Sequence, residues 1–318
     1  VQQLNQSRKG LDNLAMLLNL DMSGATGRIT GQSASYNTST NDLYSYTFIT
    51  ADRVNYSSKN KVDSLLAGAK GQRYSSIFPS KEQEGLTAMQ YPQGTGIGSL
   101  FLKSDGKVTF AGTLADNTKF TASSALSKSD AFPLFAQLYS KKGLIAGNVT
   151  VDPTQTMTDL GATDCFWVRP EQTKQQWYPE GWPSGLKVDL VGAQYLVPTE
   201  TSVIPNLEEV ESAEANAEIS FYDGLLTDSI NKAVNISTKN KVTNVPTTDK
   251  SFKLTINKAN GEIKGNFTDE SNKKVNFLGA TLQKSGDYQG SWGFFMSYPA
   301  KPTNGEGQSG EVQLLPLH

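Results

Sequence analysis

Apolar and polar residues alternate along most of this chain in short runs, and clusters of Gly, Asn, Asp and Ser separate one run from the next. From Tyr44 to Val54 the aromatic residues Tyr44, Tyr46 and Phe48 recur at every second position, the period of a strand with one face buried. The same period predicts strands over Ser99–Lys103, Lys107–Gly112, Lys119–Ala125, Leu134–Tyr139, Leu144–Val151, Asp164–Val168 and Lys187–Val191. It continues over Ala217–Tyr222, Phe252–Ile256, Lys274–Leu282, Ser291–Met296 and Glu311–Leu315. Asp105-Gly106 and Asn260-Gly261 fall between such runs and predict hairpins, because the turns that match strand twist need positive φ. Strands this short and this closely spaced argue for a sandwich or barrel. The opening admits two patterns: Leu11, Leu14, Ala15 and Leu18 make a helical stripe, whereas Leu18, Leu20 and Met22 alternate as in a strand. The expectation here is a short helix or extended arm over residues 1–20, feeding a strand that ends at Gly24.

The alternation repeats together with its punctuation. Gly27-Arg28-Ile29-Thr30-Gly31, Gly106-Lys107-Val108 running on to Gly112, and Gly261-Glu262-Ile263-Lys264-Gly265 share one pattern. In the second and third copies an Asp lies four residues past the closing Gly (Asp116, Asp269), Lys119 or Lys273 follows, and Leu-x-Lys-Ser ends the unit at Leu126–Ser129 and Leu282–Ser285. A repeated supersecondary unit fixes architecture before it says anything about chemistry. The predicted fold is all-β: two packed barrel- or sandwich-like halves built from repeated β-hairpin units, residues 1–205 and 206–318, with Gly27, Gly106 and Gly261 at equivalent turns. The acidic stretch Glu208–Glu214, which follows Pro205, reads as a solvated linker between them, a short helix with exposed Glu being the other reading.

At 318 residues the chain can bury a sizeable core in two units. Lys+Arg 29 against Asp+Glu 31 leaves no positive excess to hold a nucleic-acid backbone. Cys165 has no second cysteine to pair with, so packing and sheet hydrogen bonds hold the fold. No apolar run is long enough for a transmembrane helix. Val1-Gln2-Gln3-Leu4 has neither the basic nor the apolar region of a signal peptide, as expected of a mature chain or one cut from something longer.

Candidate chemistry is sparse. His318 is the sole histidine, which leaves Ser-His-Asp and Cys-His catalysis and His-ligated zinc without an internal imidazole, so the expectation is a protein that is not an enzyme. Cys165 lies in a strand-like run and reads as a small buried apolar residue. Gly94-Thr95-Gly96-Ile97-Gly98 precedes a strand, whereas a phosphate loop must open a helix. Neither Asp116-Asn117-Thr118 nor Asp269-Glu270-Ser271-Asn272 has the spacing of a Ca²⁺ loop, so no metal or cofactor is expected. Trp167, Trp177, Tyr178 and Trp182 crowd one stretch with Asp152, Asp164, Glu171, Glu180 and Asp189 near them. Flat rings with polar edges suit a sugar-binding platform, and paired carboxylates suit a glycosidase. The other reading is that Trp167 and Trp182 plug the core while Tyr178-Pro179 shapes a loop.

Residues 90–317 also resemble a family. Gly112–Phe120, Phe132-Pro133-Leu134-Phe135, Lys142–Gly147, Trp167-Val168-Arg169-Pro170, Tyr178–Trp182, Gly192–Tyr195, Gly261–Phe267, Leu278–Lys284 and Ser309–Val312 are similar to a recurring β-rich C-terminal region of large secreted or surface proteins of environmental bacteria. Asn117 stands where that region usually has Gly, and a polar insertion from Tyr298 to Gly307 departs from it. The resemblance implies an exported, surface-associated role and carries over no catalytic residue. The expected function is an extracellular structural or adhesion module, with other surface proteins or copies of itself as partners and residues 1–20 as a contact that completes a neighbour's sheet edge. The alternative is a carbohydrate-binding module on the Trp167–Trp182 cluster.

Overall fold

The computed structural model describes residues 2–8, 11–24, 26–37, 40, 43–211, 213–284, 286–298 and 307–317. Most of the insertion after Tyr298, together with Ser212, Ser285 and His318, lies outside the described residues. The fold is all-β, two nearly closed eight-stranded barrels and one four-stranded sheet, with the strands within each sheet paired antiparallel.

The four-stranded sheet is a meander of β1 (Gln2–Arg8), β2 (Leu11–Leu20), β3 (Arg28–Tyr36) and β4 (Leu43–Asp52). The helix allowed for residues 1–20 is therefore corrected to a hairpin. Leu11–Leu20 pairs with a strand on each side, Leu18 opposite both Gln2 and Gly31, and those ladders satisfy the backbone groups that a helix would have paired internally.

The first barrel runs β5 (Gln72–Phe78), β6 (Gly96–Leu102), β7 (Lys107–Thr113), β8 (Lys119–Ala125), β9 (Ala131–Leu138), β10 (Gly143–Val151), β11 (Leu160–Arg169) and β12 (Trp182–Gln194). Each strand pairs with the next except across the β8/β9 seam, and β12 returns to pair with β5. The second barrel repeats this plan with β13 (Ala217–Asp223), β14 (Ile230–Ile236), β15 (Val242–Val245), β16 (Phe252–Ile256), β17 (Glu262–Thr268), β18 (Lys274–Leu282), β19 (Gly290–Met296) and β20 (Ser309–Pro316). Its seam lies between β15 and β16, and β20 closes onto β13.

Alternation puts every second residue inside. Val108 and Phe110 on β7 and Ile145, Val149 and Val151 on β10 fill the first core. Phe221, Phe267, Phe277 and Phe295 fill the second, with the Phe221 and Phe267 rings stacked at 4.1 Å. Between the barrels, Ile77, Ile97 and Ala193 meet Ala280 and Leu282 in a smaller apolar contact. The segment 195–216 joins them. Its Glu208, Glu209, Glu211 and Glu214 are exposed, but Val203 and Ile204 are buried in the second core, and Asn240 Oδ1 accepts from Ser202 Oγ and Val203 N.

Gly27, Gly106 and Gly261 all have positive φ and all sit at hairpin turns, β2–β3, β6–β7 and β16–β17. The three copies thus occupy three different sheets, and the second and third stand at different ordinal places in their barrels. What they share is physical. At the closing glycines Gly31, Gly112 and Gly265, a Cβ would collide with a backbone carbonyl oxygen of the paired strand, that of Leu17, Ile97 and Lys253 respectively. Close backbone approach of this kind lets a strand bend, as a barrel wall must. Asn117 takes φ +66°, the left-handed region that Gly enters freely and Asn more readily than most residues.

Candidate functional site

The strand parity of β11 aims Cys165, Trp167 and Arg169 into the first barrel. Arg169 is buried and bonds Asp116 of the β7–β8 turn at 2.5 Å, while its Nη2 donates to the Trp177 carbonyl at 2.7 Å. The guanidinium carbon lies 5.4 Å from the Trp182 ring centroid, 5.5 Å from Tyr139 and 5.9 Å from Tyr178, a cage of π-faces around a cation. Tyr139 donates its hydroxyl to Asp116 at 2.6 Å and receives Trp167 Nε1 at 3.0 Å. It is held by three successive left-handed residues, Tyr139, Ser140 and Lys141, a conformation that costs about 1 kcal/mol or more at each non-glycine position. Burial, reinforced by the Asp116 charge, raises the Tyr139 phenol well above its ordinary range, and burial pushes Tyr178 up to about 12. Both phenols are thus held protonated at this end of the barrel.

The structure separates the four aromatic candidates. Trp167, Tyr178 and Trp182 are 3 to 4% exposed and belong to the first core, with Trp167 and Trp182 edge to face at 4.7 Å. They do not form an open stacking platform. Trp177, in the β11–β12 loop, is only partly buried. Its Nε1 donates to the Ser297 carbonyl at 2.9 Å, and its ring meets the exposed Tyr298 at 4.5 Å. These two rings wall a groove of about 500 Å³ between the barrels, with Leu278, Phe294 and Met296 at its base and Asn117, Lys274 and Asn276 among its polar groups. Tyr178 reaches the second barrel too, through Ser309.

Among the other candidates, Glu171 and Glu180 lie in the β11–β12 loop, away from the groove. Burial pushes the Cys165 thiol up to about 11 and leaves it without accessible surface. Asp164 and Asp189 converge on Lys81, each at 3.0 Å, and Asp152 accepts from Thr154 and Gln155 in its own turn. Asp269 accepts from the backbone N–H groups of Ser271 and Lys273. Gly94 lies where the first barrel's lead-in crosses the second: a Cβ there would strike the Gly310 carbonyl and Phe294, and Thr95 N donates to the Gly293 carbonyl at 3.1 Å. Beside this crossing is Glu311, 4% exposed, whose carboxyl faces the backbone and hydroxyl of Thr95. Burial raises it well above the usual carboxylate range.

The N-terminal sheet presents the remaining candidate surface. Residues directly opposite in antiparallel strands project to the same face. The register therefore gathers Leu4, Leu14, Met16, Leu18, Leu20, Ile29 and Ile49 on one face, and none of them is buried. Gln6, Gly31, Ser33, Ser35, Ser45, Thr47 and Ala51 share that face, with Ser35 and Ser45 bonded at 2.8 Å. The opposite face carries Leu17, Tyr46, Phe48 and the Arg28–Asp52 pair. The sheet meets the first barrel at one end, where Lys128 N donates to the Arg53 carbonyl and Ser129 Oγ to Asp52. No helix among the described residues is long and apolar enough to cross a membrane. No protein-family model matches the chain, and no curated protein or solved structure matches it either.

Proposed function

We propose that this chain is a non-enzymatic extracellular structural or adhesion module, a subunit of a surface assembly that docks through the apolar face of its N-terminal sheet. The observation that carries this reading is the seven-residue aliphatic face of β1–β4, none of it buried. An antiparallel sheet is stable when such a face packs on a second layer. The resemblance to surface proteins of environmental bacteria supports the extracellular setting. Beads coated with the chain test the reading: they are expected to cluster or to adhere to bacterial envelopes. Met16→Lys with Ile49→Lys should weaken that adhesion about tenfold or more, since a loss of about 1.4 kcal/mol suffices. Coated beads that stay dispersed and leave envelopes bare overturn it.

A second reading, glycan binding, rests on the groove between the barrels, where the Trp177 and Tyr298 rings stand beside Asn117, Asn276 and Lys274. Apolar ring faces with polar neighbours are what a pyranose needs. A glycan array with the native chain and Trp177→Ala checks it: binding lost in the variant supports this reading, and a blank array removes it.

A further inference from the structure

We infer that the N-terminal sheet is half of a barrel and that a second copy of this chain supplies the other half. This rests on the docking reading above and names its partner. The two barrels show what strands of this chain do when they form a meander: eight of them curl until the first and last pair, and the aliphatic faces cover one another. The N-terminal meander has four strands of the same kind. It also has the device that bends the others, since Gly31 abuts the Leu17 carbonyl as Gly112 and Gly265 abut those of Ile97 and Lys253. A four-stranded wall with an aliphatic side and this glycine lacks the four further strands that complete each barrel.

Two copies related by a two-fold axis meet this need with no other component. The axis brings β1 against its symmetry mate and β4 against its own, both antiparallel, so two open edges on each copy become two closed seams. A wall of four strands at about 4.8 Å spacing and about 30 Å length offers about 600 Å² per copy. The pair buries about 1,200 Å², enough for a specific interface. The charged pair Arg28–Asp52 stays on the opposite face, where Asp52 also accepts from Ser129 of the first barrel.

Sedimentation of the whole chain at about 10 µM, a concentration suited to a micromolar interface, is the test. The expected species is a dimer that Leu18→Asp or Ile49→Asp dissociates and Phe48→Asp, on the opposite face, does not. All four tryptophans lie in residues 167–292, so their fluorescence reports the barrels in every variant. Because a charged variant could also unfold the sheet itself, hydrogen exchange on the native chain supplies a second readout: amides of β1 and β4 should gain protection as concentration rises. A native chain that remains monomeric, a dimer indifferent to Leu18→Asp, or edge amides indifferent to concentration overturns the inference. If a monomeric chain still drives bead adhesion, the partner is a different molecule and the docking reading stands; if both assays are blank, both fall.

Discussion

In the first barrel Phe110 and Phe120 lie against Phe78, at centroid distances of 6.1 and 5.9 Å, behind a wall that closes on itself, whereas Leu18 and Ile49 on the N-terminal sheet face no second layer. Both regions use antiparallel meanders, two-fold alternation and a closing glycine that lets a strand bend. The difference lies in strand number. Eight strands of this curvature return to their starting edge and cover their own apolar residues, while four stop halfway. The comparison teaches that local pattern sets the wall and strand count decides whether the wall is an interior or an interface.

The largest test of the contrast is in the second core. Phe221→Ala removes a ring stacked on Phe267 and should cost about 4 kcal/mol in denaturant unfolding followed by Trp fluorescence. Asp116→Asn comes next. It strips the charge facing buried Arg169 while keeping shape, and a loss of about 3 kcal/mol is expected, with no transfer of the effect to the N-terminal sheet as read by hydrogen exchange. A smaller effect depends on pH. Glu311 has a raised carboxyl pKa in the folded chain, so between its unfolded and folded values the native state holds the extra proton and stability falls as pH rises. Glu311→Gln should therefore be the more stable form above pH about 4, by at most about 1.4 kcal/mol per pH unit through that window, and the advantage should vanish in more acidic solution. The smallest effect is at the open sheet, where Phe48, 70% exposed, should tolerate alanine within about 0.5 kcal/mol. A loss at Phe48 comparable to that at Phe221 would erase the distinction between the two regions.

Much of the barrel wall is legible in the sequence because one face of most strands is wet. Lys119–Ala125, Phe252–Ile256 and Lys274–Leu282 are found where alternation places them. Strand β5 is not legible for the opposite reason. Tyr74 faces the first core while Ser75, Ser76 and Ile77 are buried too, covered in part by the second barrel, so polar and apolar positions lose their meaning there. Strand β1, Gln2–Arg8, carries a single aliphatic residue, Leu4, and has no period to read. The aromatic cluster is visible as a cluster, and Trp167 and Trp182 lie in strands, where burial is the ordinary fate of a large ring. The Arg169–Asp116 bond is not visible, since it joins residues 53 apart through a turn and a strand end. The available signal was parity: Arg169 falls two residues after Trp167 and four after Cys165, on the inward side.

The meander topology has a consequence for the order of events during synthesis. Within each barrel, neighbours in sequence are neighbours in the sheet, so most ladders can zip as soon as two strands have emerged. Closure is the exception: β5 waits for β12, and β13 waits for β20. Bringing such distant ends together is the entropically slow step. Until Ser309–Pro316 is made, the second barrel keeps β13 and β19 as open edges, and Tyr178 of the first barrel lacks its Ser309 partner. The last strand of the second barrel to be made is thus the latch for one barrel and the mortise for the other.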